Sequence, residues 1–243
     1  MAVPTFAPLR NLGLFSELVD RVITRSPSLP GMACFYGHSG YGKTFSAVYA
    51  ANKSRAYYVE VGETWTRKTL CHAILRELGL GGAVQGTLPD LVSSIVDRLA
   101  EDRDRPLIID EADHVVKKGM VDLVREIHDK SQAPVIWIGE ELLPVKLQKF
   151  ERTHNRMLDW VAALPCDVTD TRHLARLNAP GIDIADDLIN TVAKASDGRA
   201  RRIAVNCDRV RERAVALGKK KITLADWGSQ PFFTGEPPRR RAA

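Results

Sequence analysis

The stretch from Gly37 to Thr44 has the residue types and the spacing of a phosphate-binding loop. It reads Gly-His-Ser-Gly-Tyr-Gly-Lys-Thr, which matches the pattern G-x-x-x-x-G-K-[ST]. Glycines let backbone N–H groups approach phosphate oxygens, and the N-terminus of a following helix adds positive dipole. Lys43 would reach the β- and γ-phosphates of ATP, and the Thr44 hydroxyl would hold Mg²⁺. The predicted nucleotide-binding residues are Gly37, His38, Ser39, Gly40, Tyr41, Gly42, Lys43 and Thr44.

A second motif that could do chemistry is an apolar run that ends in two carboxylates, Asp110 and Glu111. In P-loop ATPases a carboxylate at such a strand end supports Mg²⁺ through water, and the next one can polarise the attacking water. Asp110 is predicted to take the first role and Glu111 the second. The alternative is that the two acids simply lie on the surface after a strand.

The apolar pattern predicts the elements that would position these motifs. A buried strand over 32–36 precedes the glycine loop and a helix over 44–51 follows it. Further strands are predicted at 56–61, 106–111, 134–139 and 157–164, with helices at 64–78, 88–100 and 121–130. After Pro165 the strand pattern ends, and helices are predicted at 171–177, 184–195 and 199–217. The predicted fold class is therefore α/β, a P-loop parallel sheet flanked by helices and followed by a small α-helical lid.

Four segments follow from this pattern. They are a lead-in helix and linker over 1–30, a nucleotide-binding α/β domain over 31–165, a helical lid over 166–228 and a disordered basic tail over 229–243. The tail is predicted to be disordered because Pro, Gly and Arg dominate its composition.

Charge is distributed unevenly along the 243 residues. The net charge is +5, yet from Ser196 onward 12 Lys and Arg face 5 Asp and Glu, so the rest of the chain is slightly acidic. A basic C-terminal fifth is either a solvated helix and tail or a surface that attracts nucleic acid. The four cysteines are scattered, no secretory signal is visible and no apolar run is long enough to span a membrane, which together favour a reduced cytoplasm.

The combined motifs resemble the AAA+ ATPases and, within them, the DNA-transposition ATPases related to phage Mu transposition protein B, TnsC and TniB. The stretches that carry the resemblance are GHSGYGKT, PLIIDEADHVVKKG, WIGEELLPVKLQKFERTHNRM and SDGRARRIAVNCDRV, and it covers roughly 11–227. It implies ATP and Mg²⁺ as ligands and Glu111 as the catalytic base. It also implies a water-positioning residue at the end of the fourth strand, where this chain has Gly139-Glu140 in place of the usual Asn or Thr.

Two arginines acquire roles from the resemblance. Arg156 matches the arginine finger that completes a neighbouring subunit's site, with Arg152 as the second choice. Arg201 matches the lid sensor that contacts the γ-phosphate. Each could instead be a solvated charge on a helix.

The resemblance also implies a surface that contacts duplex DNA inside a ring or spiral of subunits. Hydroxyls, helix-start N–H groups and cations are what phosphate contacts require. The matching residues are Thr64, Trp65, Thr66, Arg67, Lys68, Lys117 and Lys118. The first five could instead form the capped start of a helix, with Trp65 in the core. The DNA contact could also lie in the C-terminal tail, at Arg239–Arg241.

The function that these features favour is an ATP-dependent, duplex-DNA-binding AAA+ ATPase. It would form a homo-oligomer on DNA without sequence preference and recruit or activate a transposase. It would work in the cytoplasm of a bacterial host and would not bind a membrane. The alternatives are a helicase loader or replication initiator, a non-hydrolysing ATP-dependent scaffold, and a nucleotide or small-molecule kinase.

Overall fold

A computed structural model describes residues 6–82 and 84–237 of the chain. They divide into two compact units. The larger unit comprises residues 11–38 and 43–163. Among the described residues, the smaller unit comprises 6–10, 39–42 and 164–237, so the middle of the glycine loop is grouped with it.

The larger unit is built on a parallel sheet of five strands in the order β2-β3-β4-β1-β5. The strands are β1 (Met32–Tyr36), β2 (Tyr57–Glu60), β3 (Leu107–Asp110), β4 (Val135–Gly139) and β5 (Met157–Ala162). The three central strands are almost entirely buried, and they are apolar except for Asp110 at the end of β3, because helices cover both faces of a parallel sheet. This architecture confirms the predicted α/β fold class.

Within the described residues, eight helices accompany the sheet. They are α1 (Arg10–Ile23), α2 (Lys43–Ser54), α3 (Arg67–Glu77), α4 (Leu88–Ala100), α5 (Ala112–Lys117), α6 (Val121–Ser131), α7 (Leu143–Gln148) and α8 (Glu151–His154). The core contains the fully buried Trp137 of β4 and, near α1, an edge-to-face pair of Phe15 and Phe35 whose centroids are 5.1 Å apart.

Two helices of the larger unit differ from the predicted elements. The α3 helix begins at Arg67 rather than Thr64, because Thr66 is its N-cap and its hydroxyl accepts the Thr69 N–H at 3.2 Å. The α5 helix was not predicted. Its last residue is Lys117, so one of the two lysines predicted to contact DNA at this segment lies at the end of a helix.

The smaller unit is helical. Its elements are α9 (Val168–Asn178), β6 (Asp183–Ile184), α10 (Asp186–Ala195), α11 (Ala200–Ala216), β7 (Lys221–Ile222) and α12 (Leu224–Trp227). The short parallel pair of β6 and β7 was not predicted. On α11 the stripe from Ile203 to Ala214 is buried, whereas Leu217, the C-cap residue, is 38% exposed because it lies at the helix end.

The segment after α12 packs on the smaller unit as far as it is described. The buried Asn206 amide of α11 donates to the Phe233 carbonyl at 3.0 Å and accepts the Phe233 N–H at 2.7 Å. The Trp227 and Phe232 rings stack with their centroids 5.1 Å apart. Residues 229–237 therefore make defined contacts, in contrast to the predicted disorder, and Arg239–Arg241 lie outside the described residues.

Candidate nucleotide site and nucleic-acid interface

The sheet order brings the predicted nucleotide motifs to one edge. In a parallel sheet all carboxyl ends lie on the same side, and β4 lies between β3 and β1. Asp110 ends β3 and Gly139 ends β4, opposite Tyr36 of β1, after which the glycine loop begins. The chain thus places a phosphate-binding loop, two carboxylates and Glu140 at one edge.

The glycine loop adopts backbone conformations that its glycines permit. Gly40 and Gly42 have φ values of 89° and 81°, in the left-handed region that L-residues rarely adopt. The Lys43 ammonium donates to the carbonyls of Gly37 at 2.6 Å and His38 at 3.0 Å. Burial lowers the pKa of Lys43, and the charges of Asp110 and Glu111 oppose that shift. The cation and the acids therefore lie within electrostatic range of each other, as a phosphate–metal site requires.

Asp110 is almost completely buried and both of its oxygens accept hydrogen bonds. Oδ1 accepts the Glu111 N–H at 2.8 Å, and Oδ2 accepts the Tyr58 hydroxyl at 2.8 Å. Burial raises the pKa of Tyr58, and the Asp110 charge raises it further. Tyr58 lies on the neighbouring strand β2 and was not singled out from the sequence, although its position two residues before Glu60, the register partner of Asp110, places it on the same face.

Glu111 stands in a strained backbone conformation. Its φ of 54° and ψ of 38° are left-handed, which is uncommon for a residue other than glycine and is concentrated at functional sites. Its side chain is exposed, and its pKa is raised by partial burial and then by the charge of Asp110. An exposed carboxylate with a raised pKa is better suited to accept a proton than an ordinary surface acid.

The residues at this edge fit a magnesium ion. Mg²⁺ is bound by hard oxygen ligands, usually by one or two protein groups together with nucleotide phosphates and water. Asp110 supplies a carboxylate, and the two hydrogen bonds that it accepts leave lone pairs for a metal-bound water. Thr44 supplies a hydroxyl in the first turn of α2.

The two candidate finger arginines differ in their contacts. Arg156 makes a two-pronged ion pair with Asp129, with Nε 2.9 Å from Oδ1 and Nη2 3.2 Å from Oδ2. Arg152 is exposed, and among the described residues its side chain has no hydrogen bond or ion pair. The first-choice residue is thus held by its own chain, and the second-choice residue is the more accessible of the two.

In the smaller unit, Arg199 contacts the glycine loop. Its guanidinium donates to the Ser39 carbonyl at 2.7 Å, and the loop N-terminal to α11 bonds again where the Ala200 N–H donates to the Gly40 carbonyl at 2.7 Å. Arg201, the predicted sensor, is exposed in the first turn of α11 and has no such contact within the described residues. The sequence pattern missed Arg199 because only the fold brings it to the loop.

The two segments predicted to contact DNA lie side by side in the larger unit. Arg67 donates to the Gly119 carbonyl at 3.0 Å, and the Lys117 ammonium is 2.8 Å from a Glu63 carboxylate oxygen. We call residues 64–68 and 117–119 the basic surface. Trp65 is half-buried and packs against the hydrophobic core, so its ring contributes to the fold, whereas Lys68 and Lys118 are exposed.

Comparison with known proteins identifies the family. The family model described as AAA domain matches residues 25–147, just over half of the chain. The chain belongs to the AAA domain family. No curated protein matches this AAA domain protein.

Solved structures similar to this AAA domain protein show its fold. The Aeropyrum pernix ORC2 protein, solved as ADPNP–ADP complexes, has a TM-score of 0.69 at 15% identity, over 93% of this chain and 67% of that one. The Pyrobaculum aerophilum Cdc6p has a TM-score of 0.65 at 19% identity, over 91% of this chain and 66% of that one. The Aeropyrum pernix ORC1 protein, solved in complex with DNA, has a TM-score of 0.66 at 20% identity, over 92% of this chain and 65% of that one. The chain therefore spans about two thirds of the length of these proteins.

These comparisons support the AAA+ part of the sequence interpretation and the ORC/Cdc6 type of fold. They give no support to the narrower resemblance to the transposition ATPases. In the described part of the chain, none of the helices combines the length and apolar character needed to cross a membrane.

Proposed function

We propose that this protein is an ATPase that binds duplex DNA as an ATP-loaded homo-oligomer. The observation that carries the proposal is the meeting of Lys43, Asp110 and Glu111 at the carboxyl edge of the sheet. The glycine loop would bind the phosphates of ATP through its N–H groups, and Lys43 would exchange its two carbonyl partners for phosphate oxygens. The family match and the nucleotide complexes of the Aeropyrum pernix ORC2 protein support this assignment.

In the proposed hydrolysis, a water molecule attacks the γ-phosphorus and the bond from that phosphorus to the bridging oxygen of ADP breaks. Glu111 accepts the proton of the attacking water, while the Asp110 carboxylate is held by the Glu111 N–H and the Tyr58 hydroxyl. Mg²⁺, held through Asp110 and Thr44, would neutralise charge on the phosphate oxygens. An arginine of a neighbouring subunit would complete the site.

The basic surface would contact the DNA backbone. Its exposed cations and the Thr66 N-cap offer phosphate contacts, which position a protein on DNA and do not read the sequence. One subunit would touch few phosphates and bind weakly. Many ATP-bridged subunits on one duplex would add their contacts, so binding should be ATP-dependent, cooperative and indifferent to sequence. The Aeropyrum pernix ORC1 protein was solved in complex with DNA, which supports DNA as the ligand.

The cellular role has two candidates. The motif resemblance favours a protein that recruits or activates a transposase on target DNA in a bacterial cytoplasm. The similarity to ORC and Cdc6 proteins favours a replication initiator or helicase loader. Purification of the partner from the native host separates them, because a transposase supports the first role and a replicative helicase supports the second.

The biochemical proposal is tested by duplex affinity as a function of salt with ATP, with ADP and without nucleotide, beside phosphate release with and without DNA. Lys68→Ala/Lys118→Ala removes one exposed cation from each segment of the basic surface and leaves the Arg67 and Lys117 contacts in place. The salt slope is the slope of the logarithm of duplex affinity against the logarithm of salt concentration, and each lost phosphate contact should reduce its magnitude by about 0.9. Lys220→Ala/Lys221→Ala, an equal loss of charge on the smaller unit, is the matched control.

A chain that ends at Pro237 tests the competing Arg239–Arg241 contact. It keeps Phe233, which the buried Asn206 amide needs as a partner, whereas an end at Trp227 would leave that amide with fewer partners. Loss of affinity only in the shortened chain would move the DNA contact to the tail. Glu111→Gln should keep ATP and DNA binding and stop phosphate release. Wild-type turnover in that variant would remove Glu111 from its role.

A further inference from the structure

A cleft of about 400 Å³ opens beside the proposed catalytic base, and a buried acid that the proposed mechanism does not use lies in its wall. The cleft is lined by Glu111, Asp113, Glu140 and Lys146, among others. Glu111 and Glu140 are exposed carboxylates that face the same space. Asp113 contacts the backbone of Glu140 on one side of this cleft.

Asp113 joins the helix that follows Glu111 to the end of the fourth strand. It lies in the first turn of α5, and its side chain is only 13% exposed. Its Oδ2 accepts the Glu140 N–H at 2.7 Å, and its Oδ1 accepts the Lys146 ammonium at 2.6 Å. Both oxygens are thus bonded to residues 27 and 33 positions further along the chain.

The backbone around this carboxylate is shaped to admit it. A Cβ atom at Gly139 would lie 2.4 Å from Asp113 Oδ2 and 2.6 Å from a methyl of Leu143, closer than real contacts allow. Glycine at the end of β4 therefore makes room for the acid.

Charge balance explains why Lys146 pairs with Asp113. Asp113 stands near two other carboxylates, and an unpaired buried acid would be costly there. Lys146, from the middle of α7, neutralises Asp113 and has only a partly exposed side chain. The same ion pair ties α7 to α5, so the loop between β4 and α7 is held at both ends.

We propose that Asp113 and Lys146 form a positioning pair that sets the Glu140 segment opposite Glu111 across the cleft. The proposal rests on the ATP hydrolysis proposed above, and it adds residues that act through others rather than on the substrate. The pair fixes the backbone at the end of β4 from the neighbouring helix α5.

The test compares steady-state hydrolysis and ATP binding in four variants. Asp113→Ala removes both acceptors and should lower kcat by about 10- to 100-fold, the worth of a hydrogen bond to a charged group, with ATP affinity unchanged. Asp113→Asn keeps an acceptor for the Glu140 N–H and should restore most of kcat. Lys146→Met should fall between them. Lys149→Met, an exposed lysine one turn further on, is the matched control and should match wild type.

Amide hydrogen exchange at Glu140 gives a readout that does not depend on turnover. The Glu140 N–H should be protected in wild type and in Asp113→Asn, and exposed in Asp113→Ala. Wild-type kcat in Asp113→Ala, or equal loss of ATP binding and kcat, overturns the positioning role. If the wild type does not hydrolyse ATP, the proposed function fails on its own, and unchanged exchange at Glu140 in Asp113→Ala then overturns the pair as well.

Discussion

The carboxyl edge of the sheet and the basic surface hold their charged groups in opposite ways. At the edge, Asp110 is 2% exposed and both of its oxygens are bonded, and the Lys43 ammonium donates to two carbonyls. On the basic surface, Lys117 has one ion pair and its side chain is 64% exposed, and Lys68 and Lys118 are open to solvent.

This difference fits the two proposed roles, ATP hydrolysis at the edge and DNA binding at the basic surface. A charge that must stabilise a reacting phosphate acts best when it is fixed and shielded from water, since it then costs no reorganisation. A charge that contacts a nucleic-acid backbone needs only to be accessible, because each contact is weak and affinity comes from their number. Single substitutions should therefore be severe at the edge and mild on the basic surface.

The largest effect is expected from Lys43→Ala. This substitution removes the cation that the glycine loop positions, so ATP binding should fall below detection in calorimetry at millimolar nucleotide. Lys53→Ala, at the exposed far end of the same helix, should bind as wild type does. Measurable ATP affinity in Lys43→Ala would show that the edge tolerates substitution as the basic surface does.

A second substitution asks whether the edge is complete within one subunit. A trans-acting arginine is worth about 10³–10⁵ in rate in related phosphoryl-transfer enzymes. Arg152→Ala should lose that factor and keep ATP binding, and mixing it with Lys43→Ala subunits should restore activity. Arg156→Ala should mainly lower the thermal unfolding midpoint, since it breaks the Asp129 pair. The reverse pattern would return the finger to Arg156.

The sequence located the parts of the edge that are contiguous in the chain. Spacing identified Lys43 and Thr44, and the strand end identified Asp110 and Glu111, because each motif is a short run whose residues act together. The supporting residues could not be found this way. Asp113 acts on a residue 27 positions away and Arg199 on one 160 positions away, and such pairs exist only once the fold has formed.

For the basic surface, too, the sequence predicted individual residues but not the contacts between them. The sequence predicted Lys68, Lys117 and Lys118 as DNA contacts, and in the structure all three are exposed, but surface charges of this kind are common. That the two segments touch through Arg67 and Gly119 depends on α5, a helix too short to leave a clear periodic pattern. The Glu63 partner of Lys117 was not predicted either.

A smaller effect is expected where the edge is supported from β2. Tyr58→Phe removes the hydroxyl that donates to Asp110 and should raise the Mg²⁺ concentration needed for tight ATP binding about tenfold. Tyr57→Phe is the control, because the Tyr57 ring faces Arg105 on the other side of the strand and keeps that contact as phenylalanine. Binding without Mg²⁺ should be equal in both variants. An unchanged Mg²⁺ requirement would mean that burial alone holds Asp110.

The smallest effect is expected on the basic surface, and it is a gain. Glu63 occupies the Lys117 ammonium that DNA phosphate would otherwise contact. Glu63→Gln frees that cation, so duplex affinity should rise at low salt and the salt slope should steepen by about 0.9. ATP hydrolysis without DNA should be measured beside it, because Lys117 also lines the cleft next to Glu111.

Glu77→Gln separates this release from a mere change in net charge. Glu77 ends α3, is exposed and has no ion pair among the described residues, so its loss changes the total charge equally without freeing a cation. Equal gains in the two variants would mean that DNA responds to overall charge and not to a defined basic surface. A gain only in Glu63→Gln would establish Lys117 as a phosphate contact, because the two variants share the charge change and differ only in the partner that is released.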